Sequence, residues 1–393
     1  MPIHWHRRDL RVADNVGLSS AAASGPVYPV FVLDPDVLEH ASPPRVTFML
    51  DALGSLRAGY RERGSDLLVE QGDPSEVLPA VARDRGVEMV SWNRDYSGLA
   101  RRRDAGVRRA LADAGVDRSA HHDAVCHEPG SITTNEGETY SVFTYFGRKW
   151  LDRPKDDPVD PPADENLAPE PGDGDPIPSP ADLGFDEPEA DVERASTERA
   201  RKRLTEFCAG DVYSYQEDRD YPAREATSRL SAHLKWGTIG IRETYAATPD
   251  AIADAETEAE RDSVEEFRSQ LAWREFYAHV LADNPEVVTE NYKSYENPIE
   301  WREDPVGLRA WKDGETGYPI VDAGMRQLRR EAYMHNRLRM IVASFLTKDL
   351  LIDWREGYDW FREKLTDHDT ANDNGGWQWA ASTGTDEIGR AHV

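Results

Sequence analysis

The first third of the chain alternates short apolar runs with amphipathic stretches. Residues 3–5, 27–33, 66–70 and 88–92 read as strands, and 46–60, 75–85 and 99–114 carry apolar residues at helical spacing. This alternation predicts an α/β, Rossmann-like N-terminal domain: a parallel sheet with helices on both faces. The first strand runs into His6, Arg7, Arg8, Asp9, Leu10 and Arg11 instead of a glycine-rich turn, so nothing indicates a NAD site. From residue 197 onward the pattern turns helical and aromatic, and eight of the eleven tryptophans lie beyond residue 200. That half is expected to be an all-α C-terminal domain. Between the two, residues 152–198 hold sixteen acids, three bases and ten prolines, which predicts a solvated, poorly ordered connector. The expected organisation is an α/β domain over 1–130, an acidic Pro-rich connector over 131–198 and a helical domain over 199–386, with no internal repeat.

Charge refines this picture. The 393 residues carry a net charge of -27, which excludes a simple basic nucleic-acid-binding module. Eight lysines stand against 39 arginines, and the acid excess with few lysines matches a protein kept soluble in concentrated salt, a halophile. Two cysteines, Cys126 and Cys208, are too few for a disulfide framework, and no Cys/His cluster has metal spacing, so no metal is expected. The N-terminus lacks the apolar core of a signal peptide, and no stretch reaches the roughly 18 apolar residues of a membrane span. A soluble, cytoplasmic, monomeric protein without a membrane partner is the expectation.

Chemistry concentrates in the second half. Thr227, Ser228, Arg229, Leu230 and Ser231 offer hydroxyls and backbone N–H groups at an expected helix start, where anions bind readily, although an ordinary N-cap has the same appearance. Arg326, Arg329, Arg330, Arg337 and Arg339 form a basic stretch in which Glu331 is the only acid between residues 323 and 340; this reads as a local phosphate-contacting patch. The segment 367–382 is too polar and glycine-rich for a plain helix, and Trp377 and Trp379 suit either stacking on a planar ligand or core packing.

Residues 6–11, 227–231, 273–277, 317–328, 334–340 and 374–386 together resemble the photolyase/cryptochrome family, most closely its class I cyclobutane pyrimidine dimer members. The resemblance covers residues 2 to 386. It implies an antenna-binding α/β domain, a helical domain holding FAD, and UV-damaged DNA as partner. It also implies a second chromophore, methenyltetrahydrofolate or 8-hydroxy-deazaflavin, between which residues 4–11 do not choose. Tyr215, Thr227 to Ser231, Gln270, Trp273, Arg274, Tyr277, Asp367, His368 and Asp369 fall at the family's flavin-contacting positions, and Arg339 with Asp367 at its ion pair beside the flavin ring. Trp377, Trp354 and Trp301 match its electron-transfer chain. Gln270, Trp273, Asn336, Arg337, Met340 and Trp379 match its DNA- and dimer-facing surface. Photolyases are among the known cases of base flipping, in which a damaged base is extruded from the duplex into the enzyme.

The chain departs from the class I pattern at three places. Gln270 stands where a glutamate is usual, as in (6-4) photolyases and animal cryptochromes; Asn336 and Met340 stand where the (6-4) enzymes carry histidines. Asp373 replaces a frequent Asn facing flavin N5, as in plant cryptochromes, so a buried protonated carboxyl able to give a proton is expected there, together with an alternative role as a blue-light receptor. After Asp386 the family pattern stops, and residues 387–393 resemble a translated sequencing adapter. A truncated reading frame with a non-native tail is expected, which leaves a non-catalytic flavoprotein fragment as a third reading.

Overall fold

A computed structural model describes residues 1–169 and 176–385. The truncation and tail expected after Asp386 lie outside the described residues. Five strands, β1 (Pro2–His6), β2 (Tyr28–Leu33), β3 (Leu68–Gln71), β4 (Met89–Asn93) and β5 (Asp117–His121), form one parallel sheet in the order β3-β2-β1-β4-β5. Alternate residues of β2 serve opposite faces. Phe31 and Leu33 pack with helices α1 (Val16–Ala22) and α2 (Pro43–Arg61), while Val30 and Val32 join Ile3, Trp5 and Trp92 against α3 (Pro74–Arg85) and α4 (Gly98–Asp113). The central strand β1 is buried along its whole length, and its two histidines are accommodated there by polar partners, His4 at Asp9 and His6 at the Asp9 carbonyl and the Tyr60 hydroxyl. Two elements were not expected. The edge strand β5 has the polar sequence Asp-Arg-Ser-Ala-His, with its first two residues exposed. Helix α1 has only seven residues and is started by Asn15, whose side chain accepts from the Leu18 N–H.

The stretch expected to be a solvated, poorly ordered connector is largely exposed where it is described, but it is anchored at several points. Leu167 is buried and pairs with Val27, and the Val27 and Ala168 N–H groups donate to Asn166 and Val27 carbonyls at 3.0 and 2.9 Å. Ile177, Leu183, Phe185 and Val192 pack onto the α/β core, and the Asp191 N–H donates to the Arg330 carbonyl at 2.8 Å. The acids face water while sparse apolar residues anchor a strap; composition averages over both. Within the same 131–198 range, helix α5 (Phe143–Asp152) places Phe146 and Trp150 in the core of the helical half.

The helical half is built around the 26-residue α8 (Glu258–Asp283), opened by a capping box in which Thr257 and Glu260 satisfy each other's backbone N–H groups. Ahead of it stand α6 (Thr197–Ala209) and the short α7 (Ser231–Trp236). After it follow α9 (Pro305–Asp313), α10 (Pro319–Glu331), α11 (Asn336–Ser344), α12 (Trp354–Lys364) and α13 (Thr370–Ala380). Helix α13 corrects the reading of segment 367–382. Asp369 caps it by accepting from the Ala371 and Asn372 N–H groups, and buried Asn374 and Gln378 donate to the Val287 carbonyl. Its polar residues therefore face partners, and Gly375 is there because a methyl group would overlap the Tyr277 ring.

The loop after β1 rivets the halves together. The Leu10 N–H donates to the Trp236 carbonyl, Arg11 bonds Asp123 at 2.6 Å, and Arg242 bonds both Asp14 and Asp123 at 2.7 and 2.6 Å, all of these charges buried. Gly237, with φ of 68°, sits so close to the Arg8 carbonyl that no side chain fits. No helix among the described residues is long and apolar enough to cross a membrane.

Candidate functional site

Helices α7, α8, α11 and α13, with the loops preceding them, enclose a cleft of two lobes, about 310 and 450 Å³. The lobes share Arg219, Gln270, Arg274, Asn336, Arg339, Met340, Asn372 and Asp373. The first is polar: Tyr215, Thr227 to Ser231, Tyr333, Asp367 and Asp369 close it. The second is walled by Trp273, Tyr277, Phe361, Trp377 and Trp379, with Gly376 opening onto free space.

In the polar lobe, Arg339 holds Asp367 at 2.6 Å and lies 3.5 Å from Asp373. Burial opposes the Arg339 charge, but the two carboxylates outweigh it and push its pKa up. Asp369 bonds Arg8 of the α/β half as well as capping α13. Burial alone would raise its pKa; Arg8, Arg274 and Lys235 outweigh that and hold it well below the usual carboxylate range. The cost of burial falls on Lys235, lowered to about 7 by desolvation and by Arg8. Arg274, also lowered by burial, donates to the Ala124 and Leu234 carbonyls. Burial raises Tyr215 to about 12.

Asp373 Oδ2 accepts from the Asp369 N–H at 2.9 Å and lies 2.9 Å from His368 Nδ1, and Arg339 is 3.5 Å from Oδ1. The carboxyl expected to give a proton is thus buried at the cleft wall and accepts one backbone hydrogen bond. His368 lies behind it, buried and outside both lobes, edge-on to Tyr358. The run 227–231 does precede a helix, but the cap position of α7 is Leu230 and no side chain caps it. Arg229 adopts a left-handed φ of 48°, uncommon for a residue with a side chain, and its guanidinium bonds Glu331.

The basic stretch is not a free phosphate patch. Arg326 donates to the Gly314 carbonyl, Arg329 pairs with Glu189 and Asp313, Arg330 with Glu331, and Arg337 with Asp220. Counting acids along the chain missed partners supplied by other segments. Of the tryptophans, Trp377 and Trp354 are buried in the same core cluster, against which half-buried Trp301 packs. Trp377 is both core and cleft wall, so the two alternatives for it are not exclusive. Trp273 stacks on Phe143 at 3.8 Å between ring centroids.

Sequence reasoning did not single out Tyr333, Asn372, Phe143 or Glu266. Glu266 bears on the cleft because it takes a hydrogen bond from Gln270; its place one turn before Gln270 was the available signal.

The cleft fits FAD on its own features. Asp367 Oδ1 and Arg229 Nε are buried in the polar lobe without hydrogen-bond partners, an acceptor and a donor awaiting polar groups, and the adjoining lobe is aromatic.

Comparison with known proteins agrees. Residues 2–165 match the family described as DNA photolyase, and residues 267–392 match the FAD binding domain of DNA photolyase. The deoxyribodipyrimidine photo-lyase of Halobacterium salinarum is 62% identical over 98% of this chain and 83% of its own length; that of a Synechococcus strain is 42% identical over 98% and 81%. Among solved structures, a bacterial class III photolyase from Agrobacterium tumefaciens superposes with a TM-score of 0.90 at 34% identity, covering 98% of this chain and 80% of that one. An archaeal photolyase from Sulfolobus tokodaii, described with two FAD molecules, gives 0.85 at 31% over 100% and 85%.

Proposed function

The chain belongs to the photolyase/cryptochrome family, and we propose that it is a deoxyribodipyrimidine photo-lyase, splitting cyclobutane pyrimidine dimers in UV-damaged DNA with light. The observation that carries this reading is the joined cleft, polar in one lobe and aromatic in the other, with Arg339, held by Asp367, at the junction.

FAD belongs in the polar lobe, held by Tyr215, the run Thr227 to Ser231, Arg274, Asp367 and Asp369, with Gln270, Trp273 and Tyr277 completing its surroundings. When bound and reduced, it supplies the photoexcited electron that splits the cyclobutane ring, so the difficult step is the cofactor's. The protein's part is orientation and electrostatics. Arg339 keeps a fixed positive charge at the junction of the lobes because two buried carboxylates hold it there. Asp373 and His368 behind it fix the hydrogen-bonding pattern at that wall. Trp377, Trp354 and Trp301, sharing one core cluster, form the electron path from the surface.

A dimer stacked in a duplex cannot reach this cleft and must be extruded. Trp273, Met340 and Trp379 replace its lost stacking, and Gln270 and Asn336 meet its polar edges. Arg337, released from Asp220, contacts a phosphate. The second chromophore, a folate or a deazaflavin, goes with the α/β half; a cavity of about 390 Å³ lined by Arg94, Arg101 and Arg108, with Tyr96 stacked on His122, is the place that suits it. Two free cysteines and an acidic, arginine-rich composition suit a monomer in a salty, reducing cytoplasm.

The alternative reading as a blue-light receptor rests on Asp373, buried at the cleft wall. An illuminated repair assay on thymine-dimer DNA with the reduced flavoprotein tests the proposal. Dimer loss that requires light and reduced flavin supports it; photoreduction without dimer loss refutes repair in favour of reception.

A further inference from the structure

Gln270 donates its side-chain N–H to Glu266 Oε1 at 2.8 Å, from one turn further along α8. The same oxygen accepts from an Arg219 guanidinium N–H, and Arg219 and Gln270 line both lobes of the cleft. A carboxylate held by a guanidinium offers only acceptors, so the amide of Gln270 must turn its NH2 edge toward Glu266. Its carbonyl oxygen is left at the other edge, with no protein partner among the described residues.

We infer that Glu266 is a positioning residue for substrate choice: clamped by Arg219, it fixes the Gln270 amide so that a carbonyl oxygen meets the extruded base. The site then selects a base edge that donates a hydrogen bond, the imide N–H of thymine or uracil, over the corresponding ring nitrogen of cytosine, which accepts. This rests on the reading of the cleft as the dimer site. It also explains the Gln270 departure from the family pattern. A glutamate at 270 would offer the same acceptor but set two carboxylates one helical turn apart, where like charges repel. The Arg219–Glu266–Gln270 chain keeps the acceptor with a single negative charge. A buried acceptor facing a base that lacks the matching N–H is left unpaired, which is the stronger form of discrimination.

The test uses the flavin-loaded protein in the dark, with oligonucleotides carrying a thymine dimer, the same dimer methylated at N3, or no lesion. The parent is expected to bind the thymine dimer about tenfold tighter than the N3-methyl dimer, about 1.4 kcal/mol. Glu266→Ala is expected to lose that preference with undamaged-DNA affinity unchanged, Gln270→Glu to lose affinity for the thymine dimer, and the exchange Glu266→Gln with Gln270→Glu to regain it. Equal discrimination by parent and Glu266→Ala, at equal flavin content, overturns the inference. If the parent does not prefer damaged DNA at all, the dimer-site reading falls, and the side-chain amide NMR signal of Gln270 decides the rest. Movement of that signal in Glu266→Ala without DNA supports the positioning role, and an unmoved signal overturns it.

Discussion

Gly357 on α12 is the sharpest test of how the cleft's aromatic wall is held. A methyl group at that position would overlap three atoms of the Trp377 ring, and Trp377 is only 2% exposed, so the indole can give way only by shifting into the cleft it walls. Gly357→Ala gains about 1 kcal/mol of helix propensity. Overpacking a closed core costs about 1–3 kcal/mol, and the ring here is hemmed by Phe361 at 5.0 Å and Trp311 at 6.0 Å between centroids, which argues for the upper end. The net is a loss of about 2 kcal/mol. For a cooperative unit of this size that lowers the thermal midpoint by about 2 to 5 °C. Gly54→Ala on α2 is the control, since its methyl meets nothing within 4 Å; there the propensity gain acts alone and stability rises by up to about 1 kcal/mol. Melts followed by circular dichroism, with tryptophan emission read on the Gly357 variant, make the comparison. If Gly357→Ala melts at or above the Gly54 variant, Trp377 is not locked as described.

Three further outcomes follow from charges. Glu275, fully buried on α8 and accepting from the Cys126 and His127 N–H groups, is raised by burial to about 7, so the folded chain keeps a proton that the unfolded chain loses above about 4.5. Its contribution is present below that point and lost as pH rises through 7; melts at pH 5 and pH 8 should show Glu275→Gln gaining on the parent at the higher pH, and a constant gap refutes this. Asp220→Asn frees Arg337, so dark affinity for duplex DNA should rise a few-fold, with a salt slope steeper by about one, in a titration over salt concentration; an unchanged slope means Arg337 makes no phosphate contact. Asp367→Ala removes the closest partner of Arg339 and an acceptor of the polar lobe, and flavin content after purification should fall at least tenfold; full retention removes Asp367 from the binding set.

What the sequence discloses depends on where a residue's partners lie. Strands β1, β2 and β4 announce themselves because they lie inside the sheet with neighbours on both faces; of the two edge strands, β3 keeps only Leu68 and Val69 as an apolar signal and β5 can be Asp-Arg-Ser-Ala-His. The strap over 152–198 reads as disordered from its acids and prolines, while its order comes from a few well-seated residues such as Leu167 and Phe185. Arg326, Arg329 and Arg337 look unpaired along the chain because Gly314, Glu189 and Asp220 meet them only in three dimensions. The site residues fared better: Tyr215, Gln270, Arg339, Asp367 and Asp373, drawn from separate segments, converge on one cleft. Which way their hydrogen bonds run, at Asp373 and Gln270 above all, needed the neighbours.

The seam around Arg8, Arg11, Asp14, Asp123 and Arg242 bears on how such a chain can change by recombination. Each of its buried charges has its counterpart in a separate stretch of sequence, and Gly237 and Gly240 are tailored to the backbone of Arg8 and the carboxylate of Asp14. A crossover near residue 130 between two diverged parents would leave Arg11 with Asp123 but take Arg242 from one parent and its partners Asp14 and Asp123 from the other. Stranding a buried charge in this way costs about 3–5 kcal/mol, enough to use up much of a protein's marginal stability. The two halves look like exchangeable modules by architecture, but they are bound to be inherited together.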